Sequence, residues 1–341
     1  MEHLIGKTLP ELAAVVQRVS LPAYTAKQIA SWLYRKRVRS IDEMTDISLA
    51  GRQRLKDKFI VGCIDAVKEQ KSKDGTRKYL FAANNGKSVE TVFIPEKERA
   101  TLCVSSQVGC KMNCLFCMTG KHGFSGELSS SEIMNQILSV PNSETLTNIV
   151  FMGMGEPFDN IGEVFRVLEI LVSDYGFCWS PKRITVSSVG LVPGLKRFLD
   201  ESRCHLAISV HSPFHEERLK LVPAEKAFPI ADIVAMLRER DFSHQRRVSF
   251  EYILFGGMND NDEHASALVR MLRGMECRVN LIRYHAIPSV NLPATREDRM
   301  MAFRDFLNSY GITATIRASR GEDIFAACGM LSTKNKNQAN L

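Results

Sequence analysis

Cys110, Cys114 and Cys117 stand in the spacing CxxxCxxC, and three thiolates on one short loop can hold three irons of a [4Fe–4S] cluster. The fourth iron then lacks a protein ligand and is open to a chelate. The amino and carboxylate groups of S-adenosylmethionine (SAM) suit that place, and an electron passed into the sulfonium releases a 5′-deoxyadenosyl radical. Phe116, just before the third cysteine, is placed to pack against such a cofactor. Zinc is the competing reading, but zinc takes four protein ligands, often from two CxxC pairs, and no second pair exists in this sequence.

Other residues gain meaning only from position. Met152, Gly153, Met154, Gly155, Glu156 and Pro157 form a glycine-rich stretch in which Glu156 can hold an ammonium group. Read alone, Gly-Glu-Pro is an ordinary turn. Ser187 and Ser188, then Ser209, Val210 and His211, supply polar groups suited to adenosine and ribose, or satisfied by local backbone. His285 and Cys328 lie further along the chain. In isolation Cys328 and Cys103 read as small buried side chains, as do Cys63, Cys178, Cys204 and Cys277.

These residues need a scaffold, and the hydrophobic pattern supplies one. β-branched stretches at residues 101–105, 148–152, 183–187, 206–210, 249–254, 278–282 and 313–317 alternate with amphipathic helical stretches such as 129–138 and 164–173. Ser129 and Glu132 have the spacing of a capping box. Such alternation predicts parallel strands with crossover helices, an α/β fold of the partial (β/α)6 barrel type. Functional residues of a (β/α) barrel gather after the C-terminal ends of its strands. The cysteine loop follows the first expected strand, Glu156 the second, Ser187 the third, Ser209 the fourth, His285 the sixth and Cys328 the last.

Residues 1–65 read as a small helical domain, with Thr25 as a cap for a helix running to Tyr34. Residues 66–97 read as a β connector in which strands flank the turn Asn84, Asn85, Gly86. Residues 98–331 form the expected barrel and 332–341 a polar, disordered tail. The formal net charge is +7, and basic residues collect early, at Arg35, Lys36, Arg37, Arg39, Arg52, Arg54, Lys56 and Lys58. That fits a polyanion-binding face or a solvated one. Composition and the absence of long apolar runs point to a cytoplasmic protein without membrane spans, whose nine cysteines are reduced.

The chain resembles the RlmN family, the bacterial dual-specificity adenine-C2 methyltransferases of 23S rRNA and tRNA. The resemblance runs over essentially the whole chain and is carried by residues 99–110, 152–157 and 326–329. The sister Cfr family, which methylates carbon 8, shares the cysteines but has alanine after Gly-Glu where this chain has Pro157. Residues 279–284 look somewhat Cfr-like.

The resemblance implies cluster ligation by Cys110, Cys114 and Cys117, and SAM contacts from Gly155, Glu156, Ser187, Ser209, Val210 and His211. His285 replaces the family's usual asparagine. Cys328 would become an S-methylcysteine, Cys103 would resolve a protein–RNA intermediate by forming a disulfide, and Glu90 would accept a proton. Two SAM molecules per turnover are implied, one as methyl donor and one as radical source. So are a flavodoxin- or ferredoxin-type electron donor, a disulfide reductant and a monomer. The alternatives are carbon-8 methylation or a non-catalytic iron–sulfur RNA-binding or redox protein, for which Cys103, Cys328 and Glu90 would have no use.

Overall fold

The computed structural model describes residues 1–242, 247–288 and 290–332. The N-terminal part contains β1 (Glu2–His3), α1 (Leu9–Arg18), α2 (Thr25–Ala30), α3 (Leu49–Lys56) and β2 (Phe59–Ile60). Thr8 and Glu11 cap α1 reciprocally. Thr25 is not a cap. Tyr24 already has helical backbone angles, so the turn starts before Thr25, and α2 runs on through a π-helical turn at Ser31–Arg35. The parallel pairing of β1 with β2 was not expected, because strands of two residues carry no periodicity.

An antiparallel meander follows: β3 (Lys68–Lys71), β4 (Arg77–Ala82) and β5 (Ser88–Pro95). Gly86 takes the left-handed conformation in the turn joining β4 and β5, with φ +75°.

The barrel region then runs through β6 (Ala100–Cys103), β7 (Gln107–Gly109), α4 (Met118–Lys121), β8 (Phe124–Glu127), α5 (Ser130–Leu138), β9 (Asn148–Phe151) and α6 (Ile161–Val172). It continues through β10 (Ile184–Ser188), α7 (Val192–Glu201), β11 (His205–Ser209), α8 (His215–Leu221), α9 (Ile230–Arg238) and β12 (Val248–Leu254). Last come α10 (Asp262–Leu272), β13 (Cys277–Arg283), α11 (Glu297–Ser309) and β14 (Thr313–Ile316). Ser129 and Glu132 form the expected capping box of α5.

One ten-stranded sheet has the order β14-β13-β12-β11-β10-β9-β6-β5-β4-β3. Every neighbouring pair from β6 to β14 is parallel, so all the expected barrel strands are present, and the meander continues the sheet antiparallel. The sheet is strongly curved. Five strand spacings separate β9 from β14, about 24 Å if flat, yet Arg317 after β14 reaches the Met152 sulfur after β9 at 3.2 Å.

The N-terminal part shares the barrel's apolar core: Leu12, Ile29 and Tyr34 belong to one buried cluster with Ile133, Phe151 and Val186. It is fastened to α5. Asn135 bonds both the N–H and the carbonyl of Ile64, and Gly6 passes so close that a Cβ there would lie 2.3 Å from the Ser131 nitrogen. No helix among the described residues is long and apolar enough to cross a membrane. Of the expected tail, residues 333–341 lie outside the described residues, while the Ser332 N–H donates to Glu90 Oε2 at 2.8 Å.

Candidate active site

The cysteine loop is closed at its base by the ribbon of β7 and β8, which the sequence pattern did not reveal. Gly109 is required there: its φ is +82°, and a Cβ would lie 1.8 Å from the Gly123 carbonyl oxygen. The Cys110 N–H donates to that same oxygen at 3.2 Å. Phe116 packs edge-on against His211 at 4.6 Å and against Phe255 at 5.9 Å, which sets the loop against the ends of β11 and β12.

All three cysteines line an open cleft enclosing about 870 Å³, solvent included. Burial pushes the Cys110 thiol up to about 12 and raises Cys114 well above its ordinary value. Thiolates in such surroundings call for cationic partners. Iron supplies that charge, so the residues fit a cluster.

The Gly-Glu-Pro segment is built differently from its sequence reading. Gly155, at φ +101°, would place a Cβ 2.6 Å from the Gln107 Cβ, and Gly153 would place one 2.6 Å from the Val104 carbonyl. The glycines admit the chain that follows β6, rather than a ligand alone. Gln107 accepts from the Glu156 N–H at 2.8 Å and donates to Asp159 at 2.7 Å and Glu127 at 3.0 Å, locking the segment to the cysteine loop. The Glu156 carboxylate accepts from the backbone N–H groups of Phe158 and Val189 at 3.0 Å each. Burial outweighs these donors and raises its pKa to about 7. A cation arriving in the cleft would ionise it.

Ser187 and Ser209 line the cleft, and neither hydroxyl has a hydrogen-bond partner among the described residues. Ser188 is satisfied locally, accepting from the Gly190 N–H at 2.8 Å. His211 lines the cleft with φ +60°. Its Nδ1 accepts from the Ile253 N–H at 3.1 Å, which leaves the proton on Nε2. Burial lowers its pKa to about 3, so the ring is a fixed neutral donor. Asn259 holds this turn through the carbonyls of His211 and Ile253.

Val210 does not line the cleft. Its side chain is buried, and its carbonyl accepts from Arg218 Nε at 3.0 Å. Arg218 is fully buried, bonds the carbonyls of Val189 and Ser209 as well, and pairs with Glu225. It thus ties the ends of β10 and β11 together.

Cys328 is exposed and lines the cleft with Cys110, Cys114 and Cys117. Its loop is pinned from two sides: the Met118 N–H donates to the Gly329 carbonyl at 2.7 Å, and Thr119 donates to the Leu331 carbonyl at 2.9 Å. Cys103 lies at the end of β6, partly buried, in electrostatic reach of Cys328. Glu90 is buried on β5, where alternation would have read it as an exposed strand carboxylate. It pairs with Lys78 at 2.9 Å and accepts from the Ser332 N–H.

His285 stands apart from the cleft lining, with Nε2 2.9 Å from Ser319 Oγ and Nδ1 3.2 Å from Glu322. Cys178, read as buried, is exposed. Gln107, Glu251 and Arg317, on or beside strands, and Arg218, on α8, were missed as site residues, because a lone polar residue carries no local signal of facing inward.

Comparison with known proteins accords with this arrangement. Residues 104–269 match the Radical SAM superfamily and residues 3–61 the Ribosomal RNA large subunit methyltransferase N-terminal domain. The probable dual-specificity RNA methyltransferase RlmN of Parabacteroides distasonis is 61% identical over 97% of this chain and 96% of its own length. That of Phocaeicola vulgatus is 61% identical over 97% and 95%. A radical SAM methyltransferase from Sphaerobacter thermophilus has a solved structure that is 38% identical, covers 98% of this chain and 100% of its own, and superposes with a TM-score of 0.92. The chain belongs to the RlmN family of radical SAM RNA methyltransferases.

Proposed function

We propose that this enzyme methylates carbon 2 of an adenosine in 23S rRNA, at the peptidyl-transferase centre, and of an adenosine in tRNA. The observation that carries the reading is the shared cleft: Cys328, from the end of the chain, lines the same space as Cys110, Cys114 and Cys117. Carbon 2 lies between two ring nitrogens and is too electron-poor to attack an electrophilic methyl group. A residue must therefore carry the methyl group to it.

Cys110, Cys114 and Cys117 would hold a [4Fe–4S] cluster, and Glu156, Ser187, Ser209 and His211 would bind SAM. Together these cofactors supply the methyl group and the radical that activates it, with two SAM molecules used per turnover. Cys328, exposed at the mouth, is the nucleophile that accepts the methyl group and becomes covalently linked to the base. Glu90, bonded to the backbone just beyond Cys328, is the proposed proton acceptor. The adduct gives up one electron, offsetting the one spent on SAM cleavage, as it gives its proton to Glu90. Cys103 then attacks the Cys328 sulfur, the disulfide forms and the bond from that sulfur to the transferred carbon breaks. The carbon keeps the electron pair and takes up a proton, freeing the methylated base. An external reductant resets the pair, and a flavodoxin- or ferredoxin-type protein supplies electrons.

The target base must leave its stack to reach this cleft. RNA is gripped by the basic N-terminal part through phosphate and shape. Several of its cations are partly committed within the protein: Arg39 pairs with Asp65, Lys56 with Asp42, and Arg54 bonds the carbonyls of Val19 and Ser20. Arg35 and Lys36 are exposed, although Arg35 also bonds the Asp174 carbonyl.

The test is anaerobic turnover of the cluster-loaded enzyme with SAM, reductant and an rRNA or tRNA fragment, followed by nucleoside mass spectrometry. 2-Methyladenosine is the expected product. 8-Methyladenosine would move the reaction to carbon 8, and SAM cleavage without either product would overturn the RNA-adenine assignment.

A further inference from the structure

Two charged residues in the cleft have no part in the proposed reaction. Glu251 and Arg317 both line it. Glu251, Asn280 and Thr315 are register partners across β12, β13 and β14, so they form one row on the barrel's inner face. Thr315 donates to Asn280 Oδ1 at 3.1 Å, and Asn280 donates in turn to Glu251 Oε1 at 2.8 Å, which fixes the carboxylate. Glu251 is buried, and its Oε2 has no hydrogen-bond partner among the described residues.

The nearest cation to that oxygen is Arg317 Nη1, at 3.8 Å. Arg317 begins where β14 ends, its backbone N–H bonded to the Leu281 carbonyl, and its guanidinium also meets the Met152 sulfur. Met152 follows β9, the strand paired with β6, whose last residue is Cys103. The guanidinium therefore lies in the cleft that Cys328 lines, beside the strand ends that include Cys103, and is backed by Glu251 Oε2, a buried carboxylate oxygen that accepts no hydrogen bond among the described residues.

We propose that Arg317 is the positioning cation of the cysteine pair: it holds the attacking Cys103 thiolate in the barrel, and Glu251 holds Arg317 in place. This rests on the roles proposed for the two cysteines. Burial, with Cys328 adding to it, holds the Cys103 thiol up at about 12 even with Arg317 and the Met152 backbone acting in the opposite sense, so loss of Arg317 would raise it further. Arg317 in turn is held charged by Cys328 first, then by Glu251, Cys103 and Glu96, against burial. The device has a clear chemical use. A thiolate is needed at Cys103 only to break the bond from Cys328 to the base, and a guanidinium supplies charge without a proton of its own to lose.

The test isolates that attack from RNA and SAM. In the cluster-loaded enzyme carrying Cys178→Ser, which removes another exposed thiol, Cys328 is converted with dithiobis(nitrobenzoate) to its thionitrobenzoate mixed disulfide and checked by peptide mass spectrometry. The Cys103 thiolate attacks the Cys328 sulfur, the Cys103–Cys328 disulfide forms, and thionitrobenzoate leaves with the electron pair of the broken bond. Its absorbance gives the rate at each pH.

Arg317→Met should slow release about tenfold at pH 8 and move the pH midpoint up by about one unit. Arg317→Lys should restore most of the rate, and Glu251→Gln should fall between. A slowing that is equal at every pH, or none in either Arg317→Met or Glu251→Gln, overturns the inference. If the unsubstituted pair itself releases no thionitrobenzoate, the cysteine pairing in the proposed function fails first, and the inference falls with it.

Discussion

At Glu156, burial and two backbone donors oppose each other, and burial wins. The folded pKa of about 7 lies above the ordinary 4.5. The stability tied to this group is complete below pH 4.5 and is lost as the pH rises through 7, because the folded state resists ionisation. Before cluster or SAM is bound, unfolding free energy should fall by about 2 kcal/mol from this group between about pH 5 and 7.5. Glu156→Gln should flatten that part of the profile in denaturant titrations at the two pH values.

Cys103→Ala should leave Cys328 able to link to the base but unable to let go. A gel-shifted protein–RNA adduct that survives denaturation is the expected result, and methylated RNA released at the normal rate would remove Cys103 from the resolving role. The grouping of Cys110, Cys114 and Cys117 in one cleft was legible because their spacing is local. Glu251 and Arg317 were not, since a single charge on an amphipathic stretch looks the same whether its face turns to water or into a barrel.

Among the elements, the ribbon of β7 and β8 carries the cysteine loop, and Gly109 is its narrowest point. Gly109→Ala meets both an unfavourable φ and the Gly123 carbonyl. Iron and sulfide content after reconstitution should drop to a small fraction of the parent value, while far-ultraviolet circular dichroism, dominated by the barrel, stays near the parent spectrum. The barrel strands were readable from β-branched runs and flanking helices. The ribbon was not, because strands of three and four residues around glycines give no usable period. Gly155 was legible as special but not in purpose: the Gln107 side chain that it admits belongs to a distant stretch of the sequence.

For the whole molecule, the question is how an RNA approaches a cleft with so few free cations near the N-terminal part. Arg35 and Lys36 are exposed, Lys36 stacking its ammonium on Trp32 at 3.2 Å. Replacing both with Glu should weaken RNA binding and reduce the slope of log affinity against log salt by about one for each phosphate left unneutralised. Fluorescence anisotropy over a salt series reads this directly. An unchanged slope would place the RNA elsewhere on the surface.

The way the Cys328 loop is anchored bears on how the enzyme is made. Its anchors lie far upstream, on Met118, Thr119 and Glu90, yet the loop is translated after every strand of the sheet. While the chain is still growing, Cys110, Cys114 and Cys117 can be in place with the mouth not yet spanned. A cluster delivered during synthesis would therefore meet a wider mouth than one delivered afterwards. Cluster insertion should be easier before the last segment docks than after it.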